Sequence, residues 1–250
     1  MFSLFKKQSS LTELFFPIST DIHSHILPGI DDGSPDVETS ILLIKGLIQL
    51  GITKSVATPH IISDLYRNTP ATIDAAKKLL QAELDKQQIN FTLTAAAEYM
   101  MDAAFFEMIN NAEPMLTVKD KLLLTEFSYA SMPDNPKLMS FSIITGGYTP
   151  ILAHPERYAY FHYNYKAYHL LQELGFLLQV NILSLTGYYG APVARAARYI
   201  LKNGLATYVA TDLHHQQHLA AFEDVHNQKI FKEILGGREW NSEWSMVNSQ

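Results

Sequence analysis

The amino-acid sequence predicts an α/β fold: a closed or nearly closed barrel of seven strand-helix units in a single domain. From residue 20 onward, short apolar runs alternate with polar loops and amphipathic stretches through seven cycles, with no linker-like break or low-complexity segment. Alternation of that kind calls for a parallel sheet covered by helices. Six of the seven apolar runs end in a histidine or a carboxylate. A closed ring gathers six strand ends around one mouth, whereas an open sheet would spread them along an edge.

Residues 1–19 read as an N-terminal extension, with a short helix packed by Phe15 and Phe16 ahead of Pro17, and 20–250 as the barrel domain. The first strand covers roughly 20–26 and opens the stretch DIHSHILPGIDDG. Its loop ends at Ser34-Pro35, a capping hydroxyl followed by a proline suited to the first helical position. Val37, Ile41, Ile44 and Ile48, spaced four and three apart, mark the buried face of a helix that stops near Gly51. A second strand, 55–60, ends in ATPH, and helical text fills 70–87. The third strand, 91–97, delivers Glu98 and Tyr99, with a short helix near 102–110. Residues 122–127 form the fourth strand and carry Glu126. The fifth, 150–153, runs into His154-Pro155-Glu156-Arg157; the sixth, 176–182, carries Asn181; the seventh, 207–211, ends in Asp212-Leu213-His214.

A chain of 250 residues can bury one good core. Its net charge of -6 argues against a broad nucleic-acid footprint or attraction to an anionic membrane. An anionic substrate must therefore find positive charge locally, from metal ions or a few placed arginines. No cysteine is present, which excludes disulfides, thiolate zinc sites and cysteine nucleophiles. Lys6, Lys7 and Glu13 interrupt the apolar pieces of the first twenty residues, and no window approaches the roughly 18 apolar residues of a membrane span. The expectation is a cytoplasmic protein without an integral membrane segment.

In a strand alternate side chains share a face, so His23 and His25 can reach one ion, and Asp31 and Asp32 bring hard oxygen ligands on the loop that follows. His60, Glu98, Glu126, His154, Asp212 and His214 arrive at other strand ends, so five of the ten histidines fall there. Histidine and carboxylate without thiolate suits Zn, Mn or Fe in a hydrolytic site, where bound water is acidified toward neutrality.

These motifs, DIHSHILPGIDDG, ATPH, Glu98, Glu126-Phe127, LAHPERY and ATDLHH in this order, resemble the PHP (polymerase and histidinol phosphatase) superfamily. More narrowly, they resemble the bacterial CpsB/YwqE-type protein-tyrosine phosphatases of capsule and exopolysaccharide systems. The similarity runs from residue 21 to about 215. It implies a distorted seven-unit TIM-like barrel and a site for three divalent ions, with Mn first and Fe or Zn as alternatives. His23, His25, Glu98 and Asp212 would hold the first ion; Glu98 would bridge to a second, completed by Glu126 and His154; Asp32, His60 and His214 would hold the third. Three such ions bring about +6 against about -4 from the four carboxylates, which leaves a site for a dianionic phosphate.

The implied reaction is in-line attack on phosphorus by a hydroxide held between metals, on a phosphotyrosine protein such as a bacterial tyrosine autokinase. Asp32, His60 and Arg157 are the implied catalytic residues, with Arg157 bracing the phosphoryl oxygens unless it pairs with Glu156. Such proteins typically carry a second phosphate-binding arginine after the last metal histidine, where this chain reads His214-His215-Gln216-Gln217-His218-Leu219. His218 or Arg67 is expected to stand in. Tyr66, Tyr188 and Tyr189 sit on rim loops within reach of an aromatic substrate, or pack locally. Asp31 orients a ligand histidine or is a turn residue, and Trp240 and Trp244 anchor the tail or pair with another subunit. His162, His169, His215 and His226 are set aside as ordinary surface residues. The competing readings are a small-molecule phosphomonoesterase of histidinol-phosphatase type and a catalytically silent phosphotyrosine-binding scaffold; a nuclease is disfavoured by charge.

Overall fold

The computed structural model describes residues 14–245. Strand β1 (Thr20–Ser24) and helix α1 (Val37–Gln49) are followed by β2 (Lys54–Ala57), β3 (His60–Ile61), α2 (Pro70–Lys86), β4 (Thr92–Ala95), β5 (Glu98–Met100) and α3 (Ala103–Asn110). Then come β6 (Leu122–Glu126), α4 (Pro136–Thr145), β7 (Thr149–Ala153), α5 (Lys166–Glu173), β8 (Leu177–Asn181), α6 (Ala191–Lys202) and β9 (Ala206–Ala210). Helices α7 (Gln216–Glu223), α8 (Val225–Leu235) and α9 (Ser242–Ser245) complete the described chain.

Every ladder is parallel, in the orders β1-β2-β4 and β3-β5-β6-β7-β8-β9. Two of the seven expected strands are split, the second at Thr58-Pro59 and the third at Ala96-Ala97, so Glu98 opens a strand instead of following one. Proline has no N–H to give to a ladder, which accounts for the first break. The halves stay in register, because Ala96 N–H donates to Ala57 O (2.8 Å) and Glu98 N–H to Pro59 O (3.1 Å). At the remaining seam Asp212 N–H donates to His23 O and His25 N–H to Leu213 O, both at 2.9 Å. The ring is thus joined at one rim, where the candidate ligands lie, without a continuous ladder between β1 and β9: a distorted seven-unit barrel.

Inside the ring, Ile22, Val56, Leu124, Ile151 and Tyr208 pack with Ala96, Ala153 and Ala210, and Trp244 of α9 joins them. Lys54, at the start of β2, donates to the Trp244 carbonyl (3.4 Å). Trp244 thus covers part of the far end, which keeps a cavity of about 640 Å³ lined by Thr20, Lys54, Val56, Thr92 and Trp244. Trp240 is buried too, so both tail tryptophans anchor to the barrel.

The outer layer comes from helix faces laid on the strands. Helix α1 buries Ser40, Ile41, Leu43, Ile44, Gly46 and Leu47, a face rotated from the expected one, with Val37 and Ile48 at its edges. Its cap is Asp36, whose carboxylate accepts Thr39 N–H (2.7 Å), while the Ser34 hydroxyl expected in that role donates to Asp36 O (2.9 Å). A β-carbon at Gly46 would lie 2.4 Å from Leu219 of α7, so these helices approach only because none is there. Residues 14–19 form no helix. Phe16 instead packs edge-on against Phe222 and Phe231, and Phe15 N–H donates to Gln228 Oε1 (2.8 Å). Two aromatic anchors hold extended chain over α7 and α8; the rest of the expected helix lies outside the described residues.

Candidate functional site

Side chains at the ends of β1, β3, β5, β6, β7 and β9 converge on one rim. His23 Nε2 lies 3.2 Å from His25 Nε2, the outcome of their i, i+2 spacing. His23 Nε2 is 3.2 Å from Glu98 Oε2 and 3.4 Å from Asp212 Oδ1. His154 Nε2 is 3.0 Å from Glu98 Oε1, and Asp32 Oδ1 is 3.5 Å from His60 Nε2 and 3.6 Å from His214 Nε2. Among the described residues four overlapping groups have ligand atoms within 4.8 Å of one another: His25/Asp32/His60/His214, His23/His25/Asp212, His23/Glu98/His154 and His60/Glu98/Glu126. All nine residues singled out in the sequence fall in these groups. Glu126 is grouped with His60 and His154 with His23, so the donors interlock more than three separate ligand sets would.

Partners behind the donors fix which nitrogen each ring presents. Asp31 Oδ2 accepts from His25 Nδ1 (2.7 Å), so Asp31 orients a candidate ligand. The Gln179 carbonyl accepts from His23 Nδ1 (2.8 Å), and Asp212 O accepts from His214 Nδ1 (2.9 Å). The Tyr129 hydroxyl sits 3.2 Å from His154 Nδ1. His154 and Asp212 also have positive φ, 35° and 51°, a left-handed conformation that costs non-glycine residues energy and collects at functional sites.

The chemistry of this donor set fits divalent cations. His60 Nδ1, Glu98 Oε2 and Glu126 Oε1 are buried with no hydrogen bond, although His60 Nδ1 stands 3.1 Å from Glu98 and 3.0 Å from Glu126. Buried polar atoms in native proteins are normally partnered. Three orphans facing one another are ready for a shared ion. Electrostatics agree. Burial pushes His23 down, but Glu98 and Asp212 outweigh it and raise the ring to about 9. Burial would raise Glu98, yet His23 and His60 hold it well below the usual carboxylate range. Glu98 is thus ionised, and without a metal it helps to hold a proton on His23 in its place.

Above the cluster opens a cavity of about 280 Å³ lined by Asp32, Arg157, Tyr188, Tyr189, Asp212, His214, His215 and His218. Arg157 does not pair with Glu156. That carboxylate is buried and accepts from Asn181 N–H (2.9 Å) and the Ser184 hydroxyl (2.6 Å), while Arg157 donates to Asp212 Oδ2 (2.8 Å). The guanidinium lies 4.5 Å from the Tyr189 ring centre and 5.2 Å from that of Tyr129. His218 lines the cavity, but burial, helped by His215, lowers it to about 3, so it enters as a neutral ring and does not replace a guanidinium charge. Arg67 does not line this cavity; its Nε donates to Ser63 O (2.8 Å), which ties it to its own exposed loop. Tyr66 stacks on His60, rings 5.6 Å apart. His215, set aside in the sequence, does line the mouth, against His218 at 3.9 Å. Gln179 and Tyr129 were missed, although both stand on the sixth-strand and fourth-strand segments that feed the rim.

The family described as "Capsular polysaccharide synthesis, CpsB/CapC" matches residues 19–228. The chain is 29% identical to the tyrosine-protein phosphatase YwqE of Bacillus subtilis, over 78% of this chain and 76% of that one. It is 30% identical to the tyrosine-protein phosphatase CpsB of Streptococcus pneumoniae, over 78% of this chain and 82% of that one. A crystal structure from the work on these two proteins, which calls them unique metal-dependent tyrosine phosphatases, superposes with a TM-score of 0.76 at 27% identity, covering 86% of each chain. A family match over residues 19–228, a relative 30% identical along most of its length and a shared fold leave one assignment: the chain belongs to the CpsB/CapC family of capsular polysaccharide synthesis proteins.

Proposed function

We propose that this protein is a metal-dependent protein-tyrosine phosphatase that acts on phosphotyrosine in a tyrosine autokinase of capsule or exopolysaccharide synthesis. The carrying observation is the interlocked cluster of nine donors under a mouth walled by tyrosines and one arginine, in a chain whose relatives are named tyrosine phosphatases. Three divalent ions, Mn first, would be held by His23, His25, Asp32, His60, Glu98, Glu126, His154, Asp212 and His214. Bound there, such ions supply an acidified water as nucleophile and offset phosphate charge.

The chain's own residues do the rest. Arg157, pinned by Asp212 and flanked by Tyr129 and Tyr189, presents remaining N–H donors toward the mouth, where a phosphoryl group needs planar charge. Tyr188, 42% exposed at the rim, and Tyr189 give an aromatic substrate ring surfaces to lie against. A phenolate leaving group, with a pKa near 10, departs without demanding a strong acid. No helix among the described residues is long and apolar enough to cross a membrane. Protein phosphotyrosine is made from ATP, so we place the enzyme in the cytoplasm with its substrate.

The test is phosphate release from a phosphotyrosine peptide by purified protein, before and after chelation and with each candidate metal restored. Activity lost with chelator, regained with Mn and absent in His154→Ala is the expected result. Full turnover in a metal-stripped sample overturns the proposal, and capture of the peptide with no turnover under any metal favours a scaffold. A higher kcat/KM on histidinol phosphate than on the peptide moves the substrate to a small phosphomonoester.

A further inference from the structure

Helix α4 reads PKLMSFSIIT and carries apolar side chains on its outer side as well as toward the barrel. Ser140 and Ile143 are buried, whereas Leu138, Phe141 and Ile144 are 57%, 62% and 47% exposed. A helix that is apolar on both faces is normally covered on both. Beside it lie two cavities, about 340 Å³ between α3 and α4 against Phe106 and Leu138, and about 230 Å³ against Met101, Phe127 and Met132. Both are lined by Asp134 and Met139, so they run together as one groove.

None of the nine candidate ligands lines the groove, but its inner end adjoins the segment that follows Glu126. Phe127 and Ser128 follow Glu126 directly, Met101 N–H donates to Glu126 O (3.0 Å), and the next residue of the loop, Tyr129, reaches His154 and Arg157. Methionines in the lining adapt to side chains of different shape. Asp134 is the charged residue of the lining, which disfavours an acidic occupant. A second copy of this chain would need a broad patch of about 20–30 residues a side, not a slot.

We propose that this groove holds the polypeptide flanking the phosphorylated tyrosine and accepts its apolar side chains. The proposal rests on the phosphatase reading above and adds the sequence class of its substrate. A polypeptide whose phosphate sits over the cluster enters the groove past Tyr129, the residue after Ser128 of its lining, which touches His154 and Arg157.

The experiment compares three substrates: p-nitrophenyl phosphate, a nine-residue peptide with central phosphotyrosine and leucines on both sides, and the same peptide with serines. Wild type is expected to favour the leucine peptide by about tenfold in kcat/KM, mostly through KM. Leu138→Asp, at an exposed position, should erase that preference and leave p-nitrophenyl phosphate turnover unchanged. Met132→Ser should reduce it in the same direction. Equal rates on the two peptides, or a preference that survives Leu138→Asp, overturns the groove while the phosphatase reading stands. A wild-type dimer that Leu138→Asp dissolves, with peptide preference intact, assigns the face to a second copy and overturns it as well. If no phosphate ester is turned over under any metal, the phosphatase reading falls and the groove proposal falls with it.

Discussion

His23 Nδ1 lies 2.8 Å from Gln179 Oε1, and the direction of that bond is set at the far end of a chain of amides. Asp212 Oδ2 can only accept, so Asn181 turns its NH2 toward it (2.6 Å). Asn181 Oδ1 is then left to accept from Gln179 Nε2 (2.9 Å), which leaves Gln179 Oε1 for His23. His23 therefore carries its proton on Nδ1 and offers Nε2 to the cluster. Gln179→Leu is expected to weaken divalent-metal binding about 10- to 100-fold in competition with a chromophoric chelator. Gln179→Glu, which keeps the acceptor, should retain most of it. Equal affinity in wild type and Gln179→Leu would falsify the orienting role.

Gly33 closes the loop that carries Asp31 and Asp32. A β-carbon there would sit 2.0 Å from the His25 carbonyl oxygen and 2.4 Å from His25 Cβ, so the loop must move if one is added. Gly33→Ala is expected to cost about 2 kcal/mol in thermal or urea unfolding and to lower metal affinity at least about tenfold. A variant that melts with wild type and loads metal normally would show that the loop has room to shift.

Arg157→Ala should lower kcat/KM on phosphotyrosine substrates about 100-fold, the scale of losing one donor to developing charge. Metal content should stay near wild type, because Asn181 still holds Asp212 Oδ2. Arg157→Lys restores the charge but not the planar fork, and partial recovery is expected. Full activity in Arg157→Ala would remove the guanidinium from the reaction.

Protons and metal compete for the His23 ring, and its raised pKa fixes the sign. Its pKa in the metal-free fold is raised from 6.5 to about 9, so the protonated ring stabilises that fold fully below 6.5, and the contribution is lost as pH rises through 9. The loss is on the order of 3 kcal/mol. Melting of chelator-treated protein should therefore fall between pH 6.5 and 9, while metal-loaded protein changes less and releases protons on loading. A flat profile for the stripped protein counts against the paired imidazolium.

The candidate ligands were legible in the sequence because metal donors are chemically distinctive and barrel strands deliver them at predictable ends. His60 and His154, each closing an apolar run, needed only that rule. The supporting bonds needed the closed ring: Gln179 meets His23 across 156 residues, and no local pattern distinguishes it from any glutamine in a buried strand. The start of α1 was misplaced because Ser34 and Asp36 both suit a cap, and the choice depends on how Gly33 and Ser34 fold back on His25. The neutrality of His218 was hidden for a similar reason, since it comes from burial that the sequence does not display.

The meeting of β1 with β9 ties the circumference of the molecule to its chemistry. His23, His25, Asp212 and Leu213 supply the backbone atoms that stitch the first strand to the last, and the side chains of the first three form one of the groups that could hold a cation. Drawing those side chains inward tightens a stitch between segments about 190 residues apart in the chain. Stripping the cation should therefore slacken the whole hoop there first, with the amides of His25 and Asp212 exchanging their hydrogens sooner than those of β6 and β7 on the opposite wall.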